Sequence, residues 1–124
     1  MAKSKQTKAH EISYETKLKV WERQKGKSIF SGITITPEMC CCHFIPRSRG
    51  GLGKEWNIFG CYQGYGINEH RLFDEHKPIA NLTAEQCNIV LKNHFKLHYK
   101  GWSENHCKYK KGKTDGTLAG INND

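Results

Sequence analysis

The sequence predicts a small α+β domain: two short strands separated by a glycine loop, with helices before and after them. Three observations carry this prediction. Residues 39–45 and 57–62 are short, mostly apolar runs on either side of the turn-forming stretch PRSRGGLGKEW. Residues 68–77, NEHRLFDEHK, read as a short helix between a capping Asn68 and the helix-stopping Pro78. Thr83-Ala-Glu-Gln86 has the spacing of a capping box and opens a run with helical apolar spacing.

Residues 1–12 are lysine-rich and predict a basic flexible tail. In SYETKLKVWERQK (13–25), Leu18, Val20 and Trp21 stand among charges, the pattern of a short amphipathic helix ended by Gly26. SIFSGITIT (28–36) predicts a hairpin or two short strands broken by Gly32. The first strand of the central pair ends at Pro46. The last helix, about 83–99, takes its apolar surface from Ile89, Val90, Leu91, Phe95 and Leu97, and Gly101 closes it. Residues 110–124 predict a second flexible tail. One domain over 13–109 is therefore expected, with its strand–loop–strand–helix core at about 39–77.

A hydrophobic content of 36% in 124 residues allows a modest core. No apolar run approaches the roughly 20 residues that span a bilayer, so no membrane association is expected. The opening MAKSKQTKAHE has charge without an apolar segment behind it, unlike a secretory signal. A cytoplasmic location is expected. There six cysteines read as thiols or metal ligands rather than disulfides. The formal net charge of +8, with lysines at both ends and Arg47, Arg49 and Lys54 in the middle, suits a phosphate backbone as partner. A merely solubilising surface is the bland alternative.

The chemistry concentrates in the centre. His43 falls at the end of the first strand and Asn57 where the loop re-enters structure. His70 and Asp74 are four apart on the short helix and project from one face. A His and a carboxylate so placed can hold a divalent ion, and a nearby unbound imidazole can deprotonate water.

The order His43, Asn57, His70 resembles the H-N-H signature of the ββα-metal (His-Me finger) nucleases. HFIPRSRGG resembles the stretch after that family's catalytic histidine, and WNI and EHRLFD resemble its second and third blocks. The likeness is nearest to small H-N-H endonucleases of phages and prophages, and covers residues 20–77. It implies a ββα-metal core with an N-terminal and a C-terminal helix packed on it. It implies an endonuclease that hydrolyses or nicks DNA and leaves a 5′-phosphate. His43 would be the general base and Asn57 the residue that braces the loop. His70 would be a metal ligand, with Asp74 in the place of a second helical ligand. Cys42 stands where the family carries a metal-binding Asp or His. On chemical grounds, Arg47 and Arg49 are expected to grip adjacent phosphates as guanidinium forks, with a solvated loop as the alternative, and Lys54 and Arg71 are further candidate nucleic-acid contacts. One divalent ion is implied: magnesium, manganese, nickel or zinc. DNA is the implied partner, alongside other phage DNA-processing proteins, with the chain a monomer or a homodimer in the bacterial host cytoplasm.

Two departures stand out. Relatives in this family often carry a zinc held by two Cys-x-x-Cys pairs, but here Ser28 and Ser31 replace the first pair and Gly64 follows Cys61 in the second. Hydroxyls are poor zinc ligands, so no structural zinc is expected. A rearranged site using Cys40, Cys41 and Cys61 is the alternative. Cys42 is the second departure, because a thiolate favours zinc or another softer ion over magnesium. Cys40 and Cys41 are expected to pack as small apolar residues. A catalytically weakened or inactive nucleic-acid-binding protein of the same fold is the rival function, and a cysteine-zinc interaction module is another.

Overall fold

A computed structural model describes residues 5–109. The elements in chain order are α1 (Lys5–His10), α2 (Tyr14–Arg23), β1 (Cys42–His43), β2 (Ile58–Phe59), α3 (Glu69–Asp74) and α4 (Ala84–His98). β1 and β2 pair antiparallel, with Cys42 opposite Phe59 and His43 opposite Ile58. This is the α+β arrangement expected: two strands, an intervening loop, then a helix.

Side-chain alternation along so short a sheet divides the core in two. Ile58 joins Val20, Ile35 and Cys40 under α2. Phe59 and Cys42 join Leu91, Phe95, Tyr99 and Trp102 under α4 and the segment after it. The strands are thus a thin middle layer between α2 and α4. Arg23, at the end of α2, stitches the layers together. Its Nε donates to His94 Nε2 (2.7 Å), one terminal nitrogen donates to Glu55 O (2.7 Å) and Tyr99 Oη (2.9 Å), and the other donates to Ile58 O (2.7 Å).

The helix ends follow the sequence. Ser13 caps α2 by accepting from Thr16 N. Asn68 caps α3 by accepting from Arg71 N. Thr83 and Gln86 form the reciprocal capping box of α4. Each cap satisfies backbone donors that the first helical turn leaves unpaired.

Three expectations change. The segment 28–36 is a tight turn bearing one bridge, Lys27–Thr34, rather than a hairpin. Ser28 Oγ accepts from Phe30 N and Ser31 N, and this local bonding competes with a strand ladder. The first strand is shorter than 39–45, because Pro37–Met39 forms a 3₁₀ turn before it. Residues 5–12 are not a free tail. They contain α1, and Ala9 and His10 are buried against the glycine loop. The expected tail at 110–124 lies outside the described residues. Among the described residues no helix is long and apolar enough to cross a membrane.

Candidate functional site

A cleft of about 1340 Å³ opens beside the sheet, and Cys41, His43, Arg47, Arg49, His70 and Asp74 all line it. The loop between β1 and β2 forms one wall. Asn57 is fully buried beneath that loop. Its Oδ1 accepts from Ile45 N (2.8 Å), and its Nδ2 donates to Ile45 O (3.1 Å) and Leu52 O (2.8 Å). One carboxamide thus ties both ends of the turn that follows His43. Asn57 makes no contribution to the cleft surface: its work is to hold the loop.

His43 leans from β1 into the cleft. Its Nε2 lies 3.0 Å from the carbonyl of His10. A carbonyl only accepts, so Nε2 carries the proton and Nδ1 keeps a free lone pair. Burial lowers the ring's pKa below the ordinary histidine value, and Arg47 adds to this. The ring is therefore neutral at neutral pH, as a proton acceptor must be.

Another wall carries sulfur and imidazole: Cys41 and His70 line the cleft, and Cys42 is fully buried beside them. Donor atoms of Cys41, Cys42 and His70 all lie within 4.8 Å of one another, a group that could hold a metal ion. A tetrahedral zinc, with bonds of about 2.0–2.3 Å, needs its ligands roughly 3.5–3.8 Å apart, so closing this set takes no more than about 1 Å of movement. Two thiols and an imidazole fit zinc or another borderline ion and suit magnesium poorly. The Cys41 thiol is held down to about 4 by hydrogen bonds from Cys42 and His70, while the same Cys41 contact raises His70. Cys41 and His70 thus each favour the other's charged form, thiolate beside imidazolium. Burial pushes the Cys42 thiol up, so in the absence of a metal it stays protonated and donates. Gln63 Nε2 reaches Cys41 Sγ (3.5 Å) and Cys42 Sγ (3.6 Å), placing an N–H beside both sulfurs.

Asp74 stands outside the three-residue group. Its Oδ2 is 3.3 Å from His70 Nε2, so it orients the ring from behind, as a carboxylate behind a metal-bound histidine does. His76 is exposed on the cleft rim. Cys41 is the residue that the sequence reading misplaced: it lines the cleft, whereas Cys40 is buried under α2 as an apolar residue.

The cationic residues divide. Arg47 and Arg49 are exposed on a 3₁₀ turn at the cleft's edge. Arg71 instead points away from the cleft, its Nε bonded to Glu75 Oε2 at 2.9 Å. Lys54 does not line the cleft either; its carbonyl receives Asn57 N.

Glu69, almost fully buried, accepts from Ser28 Oγ (2.6 Å) and Tyr62 N (2.7 Å), tying the 28–34 turn to the start of α3. Compared with family models, with curated proteins and with solved structures, the chain finds no match in any of the three.

Proposed function

We propose that this protein is a metal-dependent endonuclease of the ββα-metal kind, hydrolysing or nicking DNA phosphodiester bonds. One observation carries the reading: a neutral histidine, His43, lines the same cleft as Cys41 and His70, two of three donors that could hold a metal ion. In this reading His43 Nδ1 takes a proton from a water held in the cleft, and the water attacks phosphorus in line with the departing 3′-oxygen. Arg47 and Arg49 grip neighbouring phosphates as guanidinium forks. Cys41, Cys42 and His70 would hold the divalent ion, and Asp74 would fix the His70 ring. Such an ion supplies Lewis-acid polarisation of the phosphate and charge for the leaving oxygen. The products are a 5′-phosphate and a 3′-hydroxyl.

A plasmid-nicking assay across magnesium, manganese, nickel and zinc tests this. The sulfur-containing donor set predicts better support from zinc or nickel than from magnesium. His43→Ala should lower the rate by about 100-fold or more, the usual worth of a positioned general base. Equal nicking by both proteins would remove His43 from the reaction.

A second reading is favoured by the chain Cys41–His70–Asp74, which has the thiol, imidazole and carboxylate order of a nucleophilic cysteine. It predicts an EDTA-insensitive activity abolished by iodoacetamide, whereas the nuclease reading predicts loss of activity with EDTA.

A further inference from the structure

His43 is positioned from an unexpected quarter. Its ring is held by neither the loop it introduces nor a side chain of the sheet. Among the described residues, the hydrogen bond to the ring comes from the backbone carbonyl of His10, 33 residues upstream.

That carbonyl is itself held firmly. The His10 ring is buried, and its Nδ1 donates to the carbonyl of Gly51. The neighbouring Ala9 carbonyl accepts from Gly53 N at 2.8 Å. The segment therefore crosses the glycine loop with a backbone bond on one side of His10 and a side-chain bond on the other. Gly53 makes room for it. A Cβ at position 53 would overlap the Glu11 carbonyl and come within 2.9 Å of the His10 carbonyl oxygen. The backbones of the two segments thus meet at a distance only glycine permits. From the other side Leu52 N donates to Cys107 O (2.8 Å) and Tyr109 N to Gly50 O (2.7 Å), so the loop is clamped between the two ends of the domain.

We infer that Ala9–Glu11 is a positioning strap for His43: seated on Gly51 and Gly53, it aims the His10 carbonyl at Nε2 and so keeps Nδ1 as the free nitrogen facing the cleft. The consequence for rate rests on the nuclease reading; the consequence for the ring does not. Without the strap the imidazole is free to rotate and to exchange tautomers, and the base loses its aim. Displacement of a reacting group by about 1 Å can cost ~100-fold in rate.

The test uses the full-length chain with His10→Ala, His10→Asn and Gly53→Ala. His10→Ala removes the ring that anchors the strap, and His10→Asn restores an N–H donor near the Nδ1 position. Gly53→Ala drives the strap off by a steric clash while leaving the strap's own sequence unchanged. Nitrogen NMR of the histidine rings, recorded above the histidine titration range, reads the tautomer directly. Wild type and His10→Asn should show His43 as the Nε2–H tautomer, while His10→Ala and Gly53→Ala should show a mixture. In nicking assays the two disruptive variants should lose about 10-fold or more in kcat, with KM within about twofold, since the DNA-gripping arginines are untouched. Should Gly53→Ala fail to fold, the alanine and asparagine variants at position 10 decide the matter. An unchanged His43 tautomer in His10→Ala overturns the strap. If wild type does not cut DNA but the tautomer responds as expected, the strap stands and the nuclease reading falls.

Discussion

The two walls of the cleft are built by opposite means. On one wall, Cys41 and His70 face the cleft and are held by side-chain atoms, with the buried Cys42 and the Gln63 amide beside them. On the other, His43 is placed by backbone groups: the His10 carbonyl, and a loop whose amides and carbonyls are gathered by Asn57. The sulfur wall is cohesive because its thiols, imidazole and the Gln63 amide lie within reach of one another. The histidine wall is cohesive because buried backbone groups must find partners. Damage to the first should therefore appear as lost ligand binding, and damage to the second as lost stability or lost aim.

The largest separation of the two should come from Cys41→Ser. It removes a donor that the cleft exposes and leaves the histidine wall intact. Cobalt titration, followed by its thiolate charge-transfer absorption, should show affinity reduced by about 100-fold or more, because a hydroxyl is a poor ligand for such ions. The melting temperature of the metal-free protein should change little, and the His43 ring should keep its tautomer. Undiminished cobalt affinity would take Cys41 out of the ligand set and leave Cys42 and His70 as an incomplete site.

Asn57→Ala is the reciprocal experiment. It leaves Ile45 N–H and two carbonyls without their partner, and each buried polar group so stranded costs about 1–3 kcal/mol before relaxation. A net loss of roughly 2–4 kcal/mol in denaturant unfolding is expected, with cobalt affinity retained below the melting transition. If stability were untouched, the loop would be held by the chain ends alone, through Leu52 and Tyr109.

What the sequence revealed, and what it concealed, follows the same division. His43, Asn57 and His70 were legible because each sits at a junction that local pattern marks: a strand end before Pro46, a re-entry after glycines, a helix begun by Asn68. The two-strand sheet and both long helices were legible for the same reason. The cleft position of Cys41 is not legible because β1 begins only at Cys42, so strand alternation does not fix where the preceding side chain points. Nothing in the pattern marks Glu69 for burial, yet it is buried and accepts from Ser28 Oγ and Tyr62 N. The His10 carbonyl leaves no trace at all, since every residue has one. The Arg23–His94 bond joins residues 71 apart, and no periodicity connects them.

That last bond offers the finest test of the comparison, because it lies behind the histidine wall, where Arg23 also holds the carbonyls of Glu55 and Ile58 that flank Asn57. Burial, aided by the Arg23 charge, depresses His94 to about 3 from an ordinary value of 6.5. Between those values the unfolded chain binds a proton at this site that the folded chain does not. Stability therefore rises with pH across that window and falls on acidification, with a slope of up to about 1.4 kcal/mol per pH unit from this one group. His43 and His98 are depressed as well and act in the same direction. His70 is raised and opposes them, its contribution present below 6.5 and lost as pH climbs through its folded value. His94→Gln keeps an oxygen for Arg23 Nε to donate to and takes up no proton. In metal-free protein, denaturant unfolding followed between neutral pH and the acid limb should show a shallower loss of stability for His94→Gln by about one proton. An unaltered acid limb would mean that Arg23 and His94 part before His94 takes up its proton, and that the support behind Asn57 is looser than the wall it carries.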